Sequence, residues 1–393
     1  MTRSLAILGA TGSVGTQALD VVARHPGEFE LDALSAWRSL HELAALAQTH
    51  RPRCVVVPDA ASASSIAGLL PARTEVLVGE PGLVEAASAA DVVLNAIVGF
   101  AGVPATLAAL RAGRHLALAN KESLIVAADL VEHVRATPGA QLLPVDSEHC
   151  AVHQCLAGLS GPDPMRSVRR IILTASGGPF RGKLTEELAD VTVADALAHP
   201  TWQMGPKITV DCSTLMNKGL EVLEAAALFG VGVGLVDVVV HPQSIVHSMV
   251  ELVDGSTLAQ LNRPDMRLPI AYALGYPARF DDGFGRLTLD EPLELTFEPP
   301  DLAAFPCLGL AYEAARLGGT APAWLNAADE CAVEAFLSGT LPWRGIAQVI
   351  DATLQRYDDT PCDDIEALLK ADMTARGVAS GIIESMALSS ARP

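Results

Sequence analysis

The chain has 393 residues, of which 50% are apolar and 19% charged, and its formal net charge is −19. That length and apolar content fill two or three packed domains and argue against disorder. The acidic balance, with no basic cluster beyond Arg166, Arg169 and Arg170, argues against a nucleic-acid partner.

Seven cysteines are scattered with no C-x-x-C pair, which predicts a reducing, cytoplasmic compartment rather than a disulfide framework or a zinc site. A charged tripeptide start runs straight into an apolar strand and a glycine turn, so no secretory leader is expected. The uncharged run 92–110 contains Asn95, Gly99, Gly102 and Pro104, and reads as strand, turn and helix start rather than as a membrane span.

Residues 1–146 alternate short apolar strands with alanine-rich helical stretches. Strands are predicted at 4–8, 31–35, 54–57, 76–78, 92–96, 115–119 and 142–145. They are too apolar for a sheet wetted on one face, so the reading is α/β, a parallel sheet covered by helices. Gly9-Ala-Thr-Gly12-Ser-Val-Gly15 follows the first strand and opens the first helix. Glycines there let the backbone approach a pyrophosphate, and the helix N-terminus faces its charge. This is a variant dinucleotide fingerprint, and it makes the domain Rossmann-like.

Asp32 sits at the start of the second strand and Arg38 beyond its end. An arginine there, with no acid at the strand end, suits the extra phosphate of NADP. Lys121, in Ala119-Asn120-Lys121-Glu122 after another strand end, is a candidate for contact near a nicotinamide, with a helix cap as the plain alternative. Asp146 and Glu148, two apart in Val145-Asp-Ser-Glu-His149, would point one way from an extended segment. Carboxylates that close are costly unless a cation or solvent lies between them.

Residues 147–276 read as a central α+β domain. Strands are predicted at 169–175, 207–211, 236–240, 244–252 and 257–261, and helices at 214–229 and 265–274. Ser176-Gly177-Gly178 follows a strand and forms either a phosphate nest or a plain turn. The stretch from His199 to Glu224 organises the rest. It holds a loop with His199, Trp202 and Met204, the alternating segment 207–211, and Asn217-Lys218-Gly219 leading into a helix with Glu221 and Glu224 on one face. A lysine and an amide at a turn before a helix can hold an anion, and a carboxylate one turn on can hold a cation. With Asp146 and Glu148, Glu221 would complete an oxygen site suited to Mg²⁺ or Mn²⁺ rather than zinc. Alone, the same stretch also reads as a cap and a solvated face. His241, which closes another strand, reads as structural. A Gly- and Pro-rich linker follows over 277–300, and then helices at 306–317, 322–337, 342–357 and 363–376 pack as a C-terminal helical bundle over 301–393.

Together these pieces resemble the 1-deoxy-D-xylulose 5-phosphate reductoisomerase family over nearly the whole chain. The resemblance rests on Leu8-Gly-Ala-Thr-Gly-Ser-Val-Gly15, Ala119-Asn-Lys-Glu-Ser123, Val145-Asp-Ser-Glu-His149 and Ala175-Ser-Gly-Gly-Pro-Phe180. It continues through His199-Pro-Thr-Trp-Gln-Met-Gly205, Met216-Asn-Lys-Gly-Leu-Glu221, His241-Pro-Gln-Ser244 and Leu325-Asn-Ala-Ala-Asp-Glu330. It implies NADPH-dependent conversion of 1-deoxy-D-xylulose 5-phosphate to 2-C-methyl-D-erythritol 4-phosphate, in non-mevalonate isoprenoid precursor biosynthesis. A divalent ion is needed, Mg²⁺ or Mn²⁺, with Co²⁺ as a further candidate. The implied architecture is a homodimer with an NADPH domain at 1–146, a catalytic and metal-binding domain at 147–276 and the C-terminal helices, with no nucleic-acid or membrane partner.

By the same resemblance, Asp146, Glu148 and Glu221 are metal ligands, and Lys121, Glu148, Trp202 and Met204 serve catalysis, the last pair in a flap that closes over the substrate. Ser147, Ser176, His199, Cys212, Asn217, Lys218 and Glu221 contact substrate, and Glu224 belongs to the surrounding shell. Gly9, Thr11, Gly12, Ser13, Val14, Arg38, Asn120, Glu122 and Gly205 contact the nucleotide. Two departures stand out. The family's Asp-Ser-Ala-Thr is here Asp211-Cys212-Ser213-Thr214, and its Ala-x-Arg-Ser-Asn ends here as Ala36-Trp-Arg-Ser-Leu40.

Two other readings use the same architecture. A reductase acting through a thioester on another phosphorylated carbonyl needs a cysteine near a histidine, and Cys150 after His149 is its candidate. A non-catalytic NADP sensor predicts no metal site, and the three carboxylates argue against it. NADPH oxidation with deoxyxylulose phosphate, with and without a chelator, separates the three.

Overall fold

The computed structural model describes residues 2–160, 163–202, 204–361 and 364–390, without the side chains of 389 and 390. Its strands are β1 Arg3–Leu8, β2 Phe29–Ser35, β3 Cys54–Val57, β4 Glu75–Val78, β5 Val92–Asn95, β6 His115–Leu118, β7 Gln141–Pro144, β8 Val168–Ala175, β9 Val236–Val240, β10 Val246–Leu252 and β11 Thr257–Leu261. Its first helices are α1 Ser13–Arg24, α2 Leu40–His50, α3 Ala60–Ile66, α4 Gly79–Ala89, α5 Val103–Arg111, α6 Glu122–Val126, α7 Ala128–Arg135 and α8 Ser147–Ala157. They are followed by α9 Val193–Leu197, α10 Pro206–Thr214, α11 Met216–Phe229, α12 Arg267–Gly275, α13 Cys307–Leu317, α14 Ala321–Leu337, α15 Trp343–Leu354 and α16 Ile365–Ser390.

The chain forms two compact units. The first comprises Met1–Ser123, Asp129–Cys150 and Asp265–Arg286. Its seven strands form one parallel sheet in the order β4-β3-β2-β1-β5-β6-β7. Every residue of β3, β5 and β6 is buried, as uninterrupted apolar runs in a helix-covered sheet must be. The strand order turns back between β1 and β5, so the loops after these two strands diverge and leave a crevice at the carboxyl edge. Ile270, Tyr272 and Leu274 of α12 enter the same core as Leu5, Ile7 and Leu94. His115 Nε2 bonds Ala273 O at 2.7 Å, which pins α12 to the sheet.

The second unit comprises Leu124–Ala128, Ala151–Pro264 and Leu287–Pro393. Its sheet runs β11-β10-β8-β9, with β8 and β9 parallel and the other pairs antiparallel. Helix α11 packs on β9 and on α13, and α14, α15 and α16 pack on one another.

Of the twelve expected strands, all but one have their counterpart among the eleven of the structure, within a few residues. The exception is 207–211, which lies inside α10. Its β-branched alternation suggested a strand, but Gly205 caps and Pro206 opens a helix there. Thr209, Val210, Asp211, Ser213 and Thr214 are all buried, so protein surrounds the segment and the period of two marked no single face. The last helix also runs well past 376, because Ala379 and Ile382 continue its buried side through Gly377 and Gly381. Cys362 and Asp363, where that helix was expected to begin, lie outside the described residues. No disulfide joins the six cysteines among the described residues. No helix among those residues is long and apolar enough to cross a membrane, and 92–110 forms β5, a turn and α5.

Candidate active site

In the first unit, the candidate residues collect at the carboxyl ends of the parallel strands. Gly9 follows β1 with φ +88°, and a Cβ there would lie 2.6 Å from Ala96 O after β5. Only glycine fits, so the turn presses against the neighbouring strand end. Gly12 caps α1 without a side-chain bond and no acid occupies the first turn, so the N–H groups around Thr11, Ser13 and Val14 form a cradle suited to a pyrophosphate. Arg38 is exposed just beyond β2. Asp32, expected at the start of the strand, lies in the middle of β2 and is taken up by Arg53, at 2.7 and 3.0 Å.

Asn120 and Glu122 clamp the loop after β5. Asn120 Nδ2 lies 2.8 Å from Ile97 O, 3.0 Å from Gly99 O and 2.7 Å from Glu122 Oε2, while Glu122 Oε1 accepts the Gly99 N–H at 2.8 Å. Buried Ser123 and Thr106 extend the network through a 2.9 Å bond. These side chains fix the crevice wall, which leaves backbone for contact with a nucleotide.

Lys121 points to a different neighbour, Asp146, with both side chains largely buried. Asp146 follows β7, and its Oδ1 accepts the Glu148 N–H at 3.0 Å at the start of α8. The expected geometry is corrected here: Asp146 and Glu148 are brought together by a helix cap, not by an extended segment. Ser147 Oγ bonds Glu148 Oε2. His149, which the sequence places only beside Cys150, is instead a neighbour of Asp146: it is fully buried with Nδ1 3.0 Å from Asp146 Oδ1. Its spacing of three from a capping acid was the available signal. Cys150 packs in the apolar core of this unit, which removes the thioester candidate.

In the second unit, Ser176-Gly177-Gly178 turns after β8. Gly178 has φ +66°, and a Cβ there would lie 2.5 Å from Cys212 O, so the turn rests directly on α10. The Gly178 N–H donates to Ser176 Oγ at 3.3 Å. His199 Nδ1 accepts the Thr201 and Trp202 N–H groups at 3.2 and 2.9 Å. Nε2 therefore carries the proton and donates to Ser176 Oγ at 3.1 Å. Burial lowers the His199 pKa, which favours this neutral form. Trp202 packs edge-on against His247 of β10, with ring centroids 6.3 Å apart; His247 was missed in the sequence. Met204 is half-buried.

Leu215, at φ 60°, breaks α10 from α11. Asn217 and Lys218 therefore lie within the first turn of α11, not in a turn before it. Nor do Glu221 and Glu224 form a solvated face, since each is 1% exposed. Lys218 pairs with Glu221 Oε2, and Asn217 Nδ2 donates to Glu221 Oε1 at 2.6 Å. Among the described residues no donor reaches buried Asn217 Oδ1, so this atom can accept a ligand hydroxyl. His241 is structural as expected: Nδ1 bonds Thr296 O at 2.8 Å, and Nε2 accepts the Ile245 and Val246 N–H groups at 3.1 Å each.

Ser213 is fully buried: its Oγ donates to Val210 O at 2.6 Å and accepts Trp343 Nε1–H at 2.9 Å. Cys212 is partly accessible beside the Ser176 turn. A thiol is the weaker donor, and a neutral hydrogen bond nets about 0.5–1.5 kcal/mol. Cys212→Ser is therefore expected to lower the KM of a phosphorylated substrate by at most about ten-fold. Ser213→Ala should instead lower the melting temperature, because it strands the indole N–H, and leave KM unchanged. A KM that responds at 213 and not at 212 reverses the assignment.

The family profile described as 1-deoxy-D-xylulose 5-phosphate reductoisomerase matches residues 5–128. The profiles for its C-terminal domains match 142–229 and 261–378. The chain is 51% identical to 1-deoxy-D-xylulose 5-phosphate reductoisomerase of Xanthomonas axonopodis pv. citri (strain 306), over 98% of both chains. It is 52% identical to the protein of that name from Aromatoleum aromaticum, over 96% of this chain and 95% of the other. A solved DOX-P reductoisomerase in complex with NADPH, fosmidomycin and magnesium superposes with a TM-score of 0.92 at 42% identity, covering 98% of this chain and 99% of that one. The NADPH complex of the Zymomonas mobilis enzyme gives 0.88 at 41% identity, covering 98% and 100%.

Proposed function

This chain belongs to the 1-deoxy-D-xylulose 5-phosphate reductoisomerase family, and we propose how its residues divide the work of that enzyme. The reaction converts 1-deoxy-D-xylulose 5-phosphate to 2-C-methyl-D-erythritol 4-phosphate with NADPH and a divalent metal ion. The feature that carries the reading is the buried set on the first turns of α11, a lysine, an amide and a carboxylate committed to one another in the interior. Burying charged groups is costly, and clusters of them gather at functional sites.

Asp146, Glu148 and Glu221 would hold the metal. Their all-oxygen character suits magnesium, manganese or cobalt, and His149 supports Asp146. When bound, the metal supplies Lewis acidity and a template for neighbouring oxygens, and NADPH supplies the hydride. Lys121 orients the Asp146 carboxylate and neutralises part of its charge. Ser147 orients Glu148 by donating its hydroxyl to the carboxylate. Ser176, His199, Cys212, Asn217 and Lys218 would bind the phosphate and hydroxyl groups, with Lys218 the one full positive charge among them. Anchoring a phosphate remote from the reacting carbons supplies binding energy that helps order Trp202 and Met204 over the substrate and exclude water. Glu224 completes the surrounding shell.

The cradle of Gly9, Thr11, Gly12, Ser13 and Val14 would hold the NADPH pyrophosphate, and Asn120, Glu122 and Gly205 would complete the nucleotide's surroundings. Residues 1–146 then act as the NADPH domain, joined in its core by α12, the rest of 147–276 as the catalytic domain and 301–393 as the helical domain. Arg38 would read the additional phosphate of NADPH. A charged hydrogen bond is worth roughly 1.5–3 kcal/mol, so Arg38→Ala is expected to weaken NADPH by about ten- to a hundred-fold and leave NADH nearly unchanged. Equal losses in both nucleotides would put Arg38 outside the phosphate pocket.

The enzyme would work in the cytoplasm, in keeping with the lack of a disulfide among the described residues. We also propose a homodimer. Strand β11 is a sheet edge with alternate exposed residues, a surface that invites pairing; a monomeric mass in light scattering would refute it. The activity itself is tested by NADPH oxidation with deoxyxylulose phosphate. Turnover that survives complete chelation removes the metal assignment.

A further inference from the structure

We infer that Asp211 and Asp329 share a single proton and, together with Lys207, form a neutral buried latch that holds α10 against α14 beneath the anion-binding turn. Lys207 Nζ lies 2.6 Å from Asp211 Oδ2 and 2.7 Å from Asp329 Oδ2. The Asp211 side chain is 3% exposed and that of Asp329 is 0% exposed. Two ionised carboxylates on one ammonium would leave a net negative charge in the interior, where nothing solvates it. A second observation points the same way. Among the described residues no donor reaches Oδ1 of Asp211 or Oδ1 of Asp329, although both atoms are buried. One proton held on Asp211 and donated to the Asp329 carboxylate brings the charge to zero and uses the orphaned acceptor capacity.

The groups around the pair leave that role to the proton. On α13, burial and then the Asp329 charge raise the Cys307 pKa, so its thiol stays protonated and adds no charge. Thr214 Oγ1 donates to the Asp211 backbone oxygen at 3.1 Å. On α11, Lys218 is paired with Glu221, and buried Glu224 lies beyond it. On α9, Asp195 accepts from Thr192 of its own cap. On α14, Glu330 faces Arg376. Burial raises the Asp211 pKa well above the usual carboxylate range, and the Asp329 charge adds to this against the opposing effect of Lys207. Burial alone would lower Lys207, but the two carboxylates more than reverse that.

The latch sits one residue from Cys212, whose carbonyl supports the Gly178 turn. Its effect on substrate therefore rests on the phosphate-site reading above, whereas the shared proton does not. The sign follows from a raised acid. The folded state binds this proton more tightly than the unfolded chain. The resulting stabilisation is complete below the ordinary aspartate pKa and is lost as pH rises through the raised value. Above that value α10 and α14 carry two buried carboxylates on one lysine and move apart, so substrate KM should climb on the alkaline side while nucleotide affinity stays level.

Infrared spectroscopy of the unliganded protein at neutral pH reads the proton directly. A buried carboxylic-acid C=O band that shifts in D₂O is expected, and Asp329→Asn should abolish it. The Asn amide can donate where the proton did, so Asp329→Asn should fold, keep KM within about two-fold at neutral pH and flatten its alkaline rise. Asp329→Leu removes the partner altogether and should raise KM at every pH. Absence of the acid band in the wild-type protein overturns the shared proton, whatever the substrate proves to be. A band that is present, with an alkaline KM rise unchanged in Asp329→Asn, overturns the link to the phosphate site alone.

Discussion

Glu221→Gln should leave NADPH binding intact and raise the metal concentration needed for half-maximal turnover by at least about 100-fold, since losing even a supporting residue of a metal site costs 10- to 100-fold. The substitution keeps the shape and a carbonyl oxygen but removes the charge a hard cation requires. Glu221 is also the partner of Lys218 and of Asn217 Nδ2. Replacing the charged partner of a buried ammonium by a neutral amide weakens that pairing, so a lower melting temperature is expected as well. Nucleotide titration reports on the first unit, which carries the fingerprint, and circular dichroism at the assay temperature reports on the folding of the second, which carries Glu221. A folded variant whose activity saturates at the wild-type metal concentration would falsify the ligand assignment.

Lys218→Ala should raise the substrate KM by about 10- to 100-fold, the equivalent of one charge-assisted hydrogen bond of roughly 1.5–3 kcal/mol. That is a larger change than any expected at Cys212, whose thiol offers one weak donor. The residue is 4% exposed, so water screens its charge little. Because Lys218 also neutralises Glu221, the metal requirement must be measured alongside. If KM holds steady and only stability and metal affinity fall, Lys218 serves as the counter-ion of Glu221 and the phosphate lies elsewhere.

Both experiments address residues whose types and spacing were plain in the chain but whose surroundings were not. Taken alone, Asn217 and Lys218 also read as a helix cap, and Glu221 and Glu224 as a solvated face. Burial decided between the two readings, because an enclosed lysine and glutamate must find each other or a ligand, and exposed ones need not. The error at 207–211 has the same root. Alternation identifies a strand only when one side of the segment is wet, and α10 is covered on most sides.

The sequence by itself determined the first unit's sheet, the glycine turn and the helix that follows it, and the positions of the candidate residues at strand ends. Those features are local: an apolar run of four to eight residues, glycines in a row and a helix start act through neighbours in the chain. It also determined the family, since its eight motifs recur in one order. Only the tertiary structure decided which polar groups meet. Lys207 finds Asp329 and Ser213 finds Trp343, across separations of 122 and 130 residues. No periodicity records such a pairing. A buried charge or hydroxyl is satisfied by whatever the completed packing brings within about 3 Å, and that partner is fixed only when distant helices have closed around it.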